Sequence, residues 1–161
     1  MTRGAALRVL LIGLGTLTAP LDTAVNIAFP HITGHFDIPV AMIQWVVICY
    51  VLTYGSLMLV MGRIGDLFGH VAVFRAGLLW SGAAYLLCAL APSYEWLLFF
   101  RFLQGIGAAL VISCGPALVT AQCPESMRAR MLGIYTLMFA AGGAIGPSLG
   151  AENIKKGFDS T

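Results

Sequence analysis

Of the chain's 161 residues, 59% are hydrophobic and only 10% are charged. A soluble domain needs roughly 25% charged residues to cover its surface, so the composition excludes an ordinary soluble globule and points to lipid as the solvent. A net charge of +2, scattered along the chain, excludes the concentrated basic face that a nucleic-acid partner needs.

A helix needs about 20 mostly apolar residues to cross a bilayer. Five segments supply them, at roughly 7–29, 41–61, 71–91, 95–119 and 130–150. Irregular backbone facing lipid would leave N–H and C=O groups unsatisfied, so these segments predict an all-α membrane protein with five transmembrane helices. The first follows Arg3 and Arg8, as a signal core does. Its run from Leu7 to Phe29 is too long for one and has no small-x-small cleavage site, so it is expected to remain as a membrane helix. The breaks between segments are short and polar: "PHITGHFDIP", "GRIGDLFGH", "APSY" and "AQCPESMRA". Proline or glycine marks each one.

Short loops rich in Lys and Arg stay on the cytoplasmic side. Arg3, Arg8, Arg63, Arg75, Arg128 and Arg130 fall at the N-terminus and around the second and fourth breaks, while the first and third have no Lys or Arg. The N-terminus is therefore expected in the cytoplasm, with the chain multi-pass in a cytoplasmic membrane. Lys155 and Lys156, after the fifth segment, break this rule.

Asp22 and Arg101 stand well inside the first and fourth segments. A charge at membrane depth costs several kcal/mol unless it is paired or faces a wet cavity, which makes each a functional candidate. At 1.5 Å rise per residue, Asp22 lies about 10 Å and Arg101 about 9 Å inside the same membrane face, so the two can meet at one level of an inner cavity. Asn26, one turn from Asp22, extends the polar stripe. Gln44, Trp45 and Tyr50 are candidates to line the same cavity. In the functional reading Asp22 is a proton or cation site. Arg101, which keeps its proton at physiological pH, biases it electrostatically. The alternative is a buried ion pair with a purely structural role.

Other chemistries find little support. Cys49, Cys88, Cys114 and Cys123 stand singly, with no CxxC pair or Cys/His cluster, and read as small apolar fillers rather than metal ligands. "GIGAA" (105–109) imitates a nucleotide loop, yet it lies mid-helix with no preceding strand. Small residues there permit close helix packing instead. No nucleophile–base or metal constellation supports an enzyme, and no cofactor is expected.

Four stretches carry a family resemblance. "GRIGDLFGH" (62–70) resembles the signature cytoplasmic loop between the second and third helices of the major facilitator superfamily. "RFLQGIGAA" (101–109) resembles its fourth-helix motif, and "GAIGPSLG" (143–150) its fifth-helix antiporter motif. "LDTAVNIAFP" (21–30) resembles the first-helix motif of the fourteen-helix drug:proton antiporter branch. The resemblance implies a secondary transporter whose two helical halves rock around a central site, a proton-coupled exporter of amphipathic, often cationic compounds. It gives Asp22 the part of a coupling acid and Arg101 a part in proton coupling. Gly143, Gly146, Pro147 and Gly150 belong to the helix-bend motif, where missing backbone hydrogen bonds allow flexing. Gly62, Arg63, Gly65, Asp66, Gly69 and His70 form a conformational loop, in which Gly62 and Gly65 free the backbone and Asp66 meets a helix end of the C-terminal half. A plainer role for Arg63 and Asp66 is to hold the loop in the cytoplasm. Where the family pattern has basic residues, this chain has Leu67, His70 and Val71, and only His70 can carry positive charge.

After Gly150 the chain turns polar, as "AENIKKGFDST", where the family continues as apolar helix. The expected organisation is therefore a partial N-terminal transporter half over 1–150 and a polar tail over 151–161. The tail reads as the mark of a truncated, frameshifted or chimeric gene. The missing C-terminal half would be the partner, alongside lipid, protons and a small-molecule substrate, and the chain alone is expected to be inactive. The alternatives are a non-transporting membrane fragment, or a transporter of a different solute such as a sugar or metabolite.

Overall fold

The computed structural model describes residues 3–17, 19, 22 and 25–158, with the side chains of 10–17, 19, 22, 29–30 and 32–143. Its helices are α1 (Arg3–Thr16), α2 (Val25–Phe36), α3 (Val40–Phe68), α4 (His70–Ala89), α5 (Tyr94–Ala121) and α6 (Arg128–Phe158). A 3-10 turn, Glu125–Met127, precedes α6. No strand occurs among the described residues. Among the described residues three helices, α3, α4 and α5, are long and apolar enough to cross a membrane.

The first expected span, 7–29, is not one helix. α1 stops at Thr16 and α2 begins at Val25, then runs past the expected end to Phe36. The Thr16 hydroxyl donates to the carbonyls of Ile12 (3.0 Å) and Gly13 (2.8 Å), the back-bond that a helical Thr makes. Pro20 follows in the sequence and has no N–H to offer a helical ladder. At the other end, α6 carries helical backbone beyond the expected limit at 150, to Phe158.

"GRIGDLFGH" also differs from the loop expected of it. Residues 62–68 are the last two turns of α3, and the chain reverses at Gly69 alone. Gly69 has φ +88°, a left-handed conformation that costs other L-residues roughly 1–2 kcal/mol. Polarity let these turns leave the apolar layer without ending the helix. Gly62 is helical and meets only Ser113 Cβ, at ordinary contact distance, so it frees no backbone here. Gly65 serves packing: a Cβ there would lie 2.9 Å from Cys114 Sγ and 3.2 Å from His70 Cδ2.

α5 starts cleanly. Ser93 at its N-cap is extended, its hydroxyl accepts from Trp96 N–H, and Glu95 sits in the first turn, where the helix dipole favours a negative charge. The helix is the axis of the bundle. Half of its apolar window is buried, against 17% for α3 and 28% for α4. Glycines set its two closest crossings. A Cβ on Gly105 would lie 2.9 Å from Tyr50 O on α3, and one on Gly107 would lie 3.0 Å from Ser81 N on α4. Gly77 faces Gly107 O across the same α4–α5 seam. Trp80 Nε1 clasps this seam by donating to Leu103 O at 2.7 Å. "GIGAA" is thus a packing surface.

Apolar clusters close the two ends of the bundle. One gathers Ile43, Val46, Tyr94 and Leu97 with α2 residues such as Phe29 and Ile32. At the other end Val73, Phe74, Cys114 and Leu118 pack with Ile64 and Ile12, and Ile12 also joins Val119, Cys123, Met131 and Tyr135. Shared packing on Ile12 puts the Gly69 joint and the turn before α6 at the same end.

Candidate functional site

On α5, Leu97, Arg101, Gln104, Ala108 and Val111 recur at three- and four-residue spacing and are all buried. That interval lines up one helix face, so the inward stripe of an apolar helix carries two polar side chains. They converge on Asp22. Arg101 Nη1 donates to Asp22 Oδ1 at 2.5 Å, and Gln104 Nε2 donates to the same oxygen at 2.9 Å. Gln104 Oε1 accepts from Arg101 Nη1 at 3.1 Å and from the Cys88 thiol at 3.6 Å. Asp22, Arg101 and Gln104 are 8%, 5% and 1% exposed, which removes nearly all solvent screening. Arg101 Nε is buried with no hydrogen-bond partner among the described residues.

Asp22 also borders a half-open cavity of about 290 Å³. Its other walls are the Tyr50, Val51 and Tyr54 stripe of α3, Ile112 of α5, and Phe139, Ala140 and Gly143 of α6. The Tyr50 hydroxyl donates to Ala19 O at 3.3 Å, tying α3 to the segment that holds Asp22. The arrangement joins a carboxylate that can take up a proton to a guanidinium that cannot release one, at the edge of an apolar, aromatic space.

The sequence-derived candidates divide. Asp22 and Arg101 come together, and Tyr50 lines the cavity. Gln44 and Trp45 do not line it, and both are exposed. Gln44 is one turn before Val47 on the cavity stripe but beyond its mouth, while Trp45 is turned about 100° further round α3. Asn26 lies in the first turn of α2, and its side chain falls outside the described residues. Gly143 borders the cavity. Gly146, Pro147 and Gly150 lie in the helical backbone of α6, with side chains outside the described residues. Arg63 and Asp66 are exposed at the end of α3, and His70 Nε2 lies 3.3 Å from Asp66 Oδ1. Sequence reasoning missed Gln104. Its signal was available: an amide three residues after Arg101, on the same face of an apolar helix.

The major facilitator superfamily model matches residues 11–152. The methylenomycin A resistance protein of Bacillus subtilis is 36% identical over 143 residues, covering 88% of this chain and 31% of the relative. The multidrug resistance protein Stp of Mycobacterium tuberculosis is 35% identical over 93% of this chain and 28% of its own length. The riboflavin transporter RibZ of Clostridioides difficile is 29% identical over 88% of this chain and 31% of its own length. The chain thus spans about a third of the length of these relatives. An apolar helical bundle, a buried charge pair against a cavity and a family match across nearly the whole chain agree: this protein belongs to the major facilitator superfamily of membrane transporters.

Proposed function

We propose that the chain supplies the first five transmembrane helices of a proton-coupled exporter of amphipathic drugs or similar small molecules. In this reading it lies in the cytoplasmic membrane with its N-terminus inside, and a C-terminal half completes it. The observation that carries the reading is Asp22, buried and held by Arg101 and Gln104 on the wall of the cavity. A proton on Asp22 cancels the charge that holds Arg101. The freed guanidinium must then find another acceptor or rehydrate, because a buried unpaired charge is costly. Proton arrival is thereby coupled to a change at the cavity edge, the two-state element that alternating access needs. Gly146 and Pro147 supply a point at which α6 can flex, because Pro147 has no N–H for the helical ladder. Asp66, flanked by Arg63 and His70, supplies the contact to the other half at the cytoplasmic end, where the arginines of the Gly69 joint and the α6 turn collect.

The 161 residues alone drive no efflux, because rocking requires a second set of helices on the open side of the cavity. Similarity to a riboflavin transporter favours a second reading, export or import of a different solute through the same half-site. The test is a chimera in which residues 11–152 replace the matching segment of the B. subtilis methylenomycin A resistance protein. It should export in a way that depends on an inward proton gradient, lose that export with Asp22→Asn and keep part of it with Asp22→Glu. Full gradient-driven export by the Asn form would reduce Asp22 to a structural residue. Reporters fused after Asp37 and after Phe68 should read external and cytoplasmic, and the reverse pattern would overturn the orientation.

A further inference from the structure

The charge arithmetic of the cavity wall points to a ligand chemistry that proton coupling leaves open. We infer that this wall selects an uncharged planar aromatic molecule and disfavours permanent cations, an inference that rests on the cavity being the substrate site proposed above. Asp22 is the one carboxylate among the described residues bordering the cavity, and Arg101, just behind it, is bonded to it at 2.5 Å. With Asp22 ionised, the pair sums to zero. With Asp22 protonated, Arg101 keeps its charge and the sum is +1. In neither state is the wall negative. A permanent cation entering this space sheds water, yet meets no net counter-charge in return. Aromatic faces attract cations, but here any such attraction acts beside an acid–guanidinium pair whose net charge is zero or positive.

The rest of the lining suits a flat, uncharged ring system. Tyr50 and Tyr54 present rings with centroids 5.3 Å apart and planes tilted by 56°, and α6 contributes Phe139. Val51 and Ile112 fill the space between with aliphatic carbon. Stacking and edge contacts on these rings reward a planar aromatic solute. The Tyr50 hydroxyl is already committed to Ala19 O, so that ring offers its face more than its polar tip.

The test uses the 161-residue chain in phosphatidylcholine nanodiscs, which carry no net surface charge, with empty discs subtracted. Two probes share one ring system: acridine, at a pH where it is uncharged, and 10-methylacridinium, a permanent cation. Acridine should bind at least tenfold more tightly. Arg101→Gln turns the ionised wall negative and should shift the ratio at least tenfold toward the cation. Tyr54→Leu and Phe139→Leu leave the charge pair intact, so they remain informative if the Arg101 variant fails to fold. Each should weaken acridine several-fold without reversing the preference. Equal or tighter binding of the cation by the unaltered chain overturns the inference and leaves the substrate site standing. An unchanged ratio in a folded Arg101→Gln chain, or undiminished acridine binding in both aromatic variants, also overturns it. Binding of neither probe above empty discs overturns the substrate-site reading and the inference with it.

Discussion

Among the described residues an acid meets a basic side chain at three places, Asp22–Arg101, Asp66–His70 and the exposed Glu125–Arg128, and the first two differ more in surroundings than in pairing. Asp22 and Arg101 are 2.5 Å apart with side chains 7% and 6% exposed. Asp66 and His70 are 3.3 Å apart with side chains 70% and 28% exposed. The first pair sits on the inner stripe of α5, inside packing set by glycines. The second straddles the Gly69 joint at the end of the bundle. An exposed pair gains little because water competes for both partners, typically about 0–1 kcal/mol. A buried pair earns no great net stability either, yet removing one partner strands the other without solvent or counter-charge. Burial therefore makes one pair sensitive to the loss of either partner and leaves the other a surface contact.

The largest expected effect breaks the buried pair from one side. Arg101→Leu should lower unfolding free energy by about 3–5 kcal/mol, read by equilibrium unfolding in lipid micelles, because Asp22 keeps a buried charge with Gln104 its remaining partner among the described residues. A loss under about 1 kcal/mol would place Asp22 in contact with water and put the two pairs on the same footing.

A second prediction tests the packing that keeps the inner stripe dry. Gly107→Ala should cost about 1–3 kcal/mol by overpacking the α4–α5 seam, where the added Cβ would sit 3.0 Å from Ser81 N and 2.9 Å from Trp80 Cδ1. Gly82→Ala on α4 is the control. A Cβ there meets nothing within 4 Å, so the change should be neutral or stabilise by about 0.5–1 kcal/mol through helix propensity. Equal costs at the two glycines would mean the seam is not tight.

How much of this was legible beforehand follows from what each signal measures. Depth along an apolar helix is set by a fixed rise, so counting residues brought Asp22 and Arg101 to one level. Rotation about the helix is another matter. α3 is apolar nearly all round, and no amphipathic stripe fixes which face turns inward. Hence Tyr50 was placed on the cavity wall while Gln44 and Trp45, its companions, point elsewhere. Polarity marked where α3 leaves the apolar layer but not where the helix ends, since Arg63, Asp66 and their neighbours continue it to Phe68. Only Gly69, with its left-handed backbone, stops it. For the end of α1 at Thr16 the sequence offers Pro20 four residues on, whose ring opposes a helical carbonyl at that spacing, a signal that an apolar count ignores. Gln104 was passed over because an amide looks minor beside an arginine until both are seen to share one carboxylate oxygen.

The smallest expected effect is at the exposed pair. Asp66→Asn should change stability by less than about 1 kcal/mol in the same unfolding assay. A larger loss would show that the joint at Gly69 depends on that contact and would narrow the contrast with Asp22 and Arg101.

The contrast itself is tested most directly by two double-mutant cycles in one lipid system, one built on Asp22→Asn with Arg101→Gln and the other on Asp66→Asn with His70→Gln. Contacting residues in one buried network couple by up to about 3 kcal/mol, whereas independent sites add within about 0.5 kcal/mol. The buried pair should show a coupling of about 2–3 kcal/mol, with the exposed pair at about 0.5 kcal/mol or less. Additive losses at Asp22 and Arg101, or equal coupling in both cycles, would contradict the claim that burial couples Asp22 to Arg101 more strongly than exposure couples Asp66 to His70.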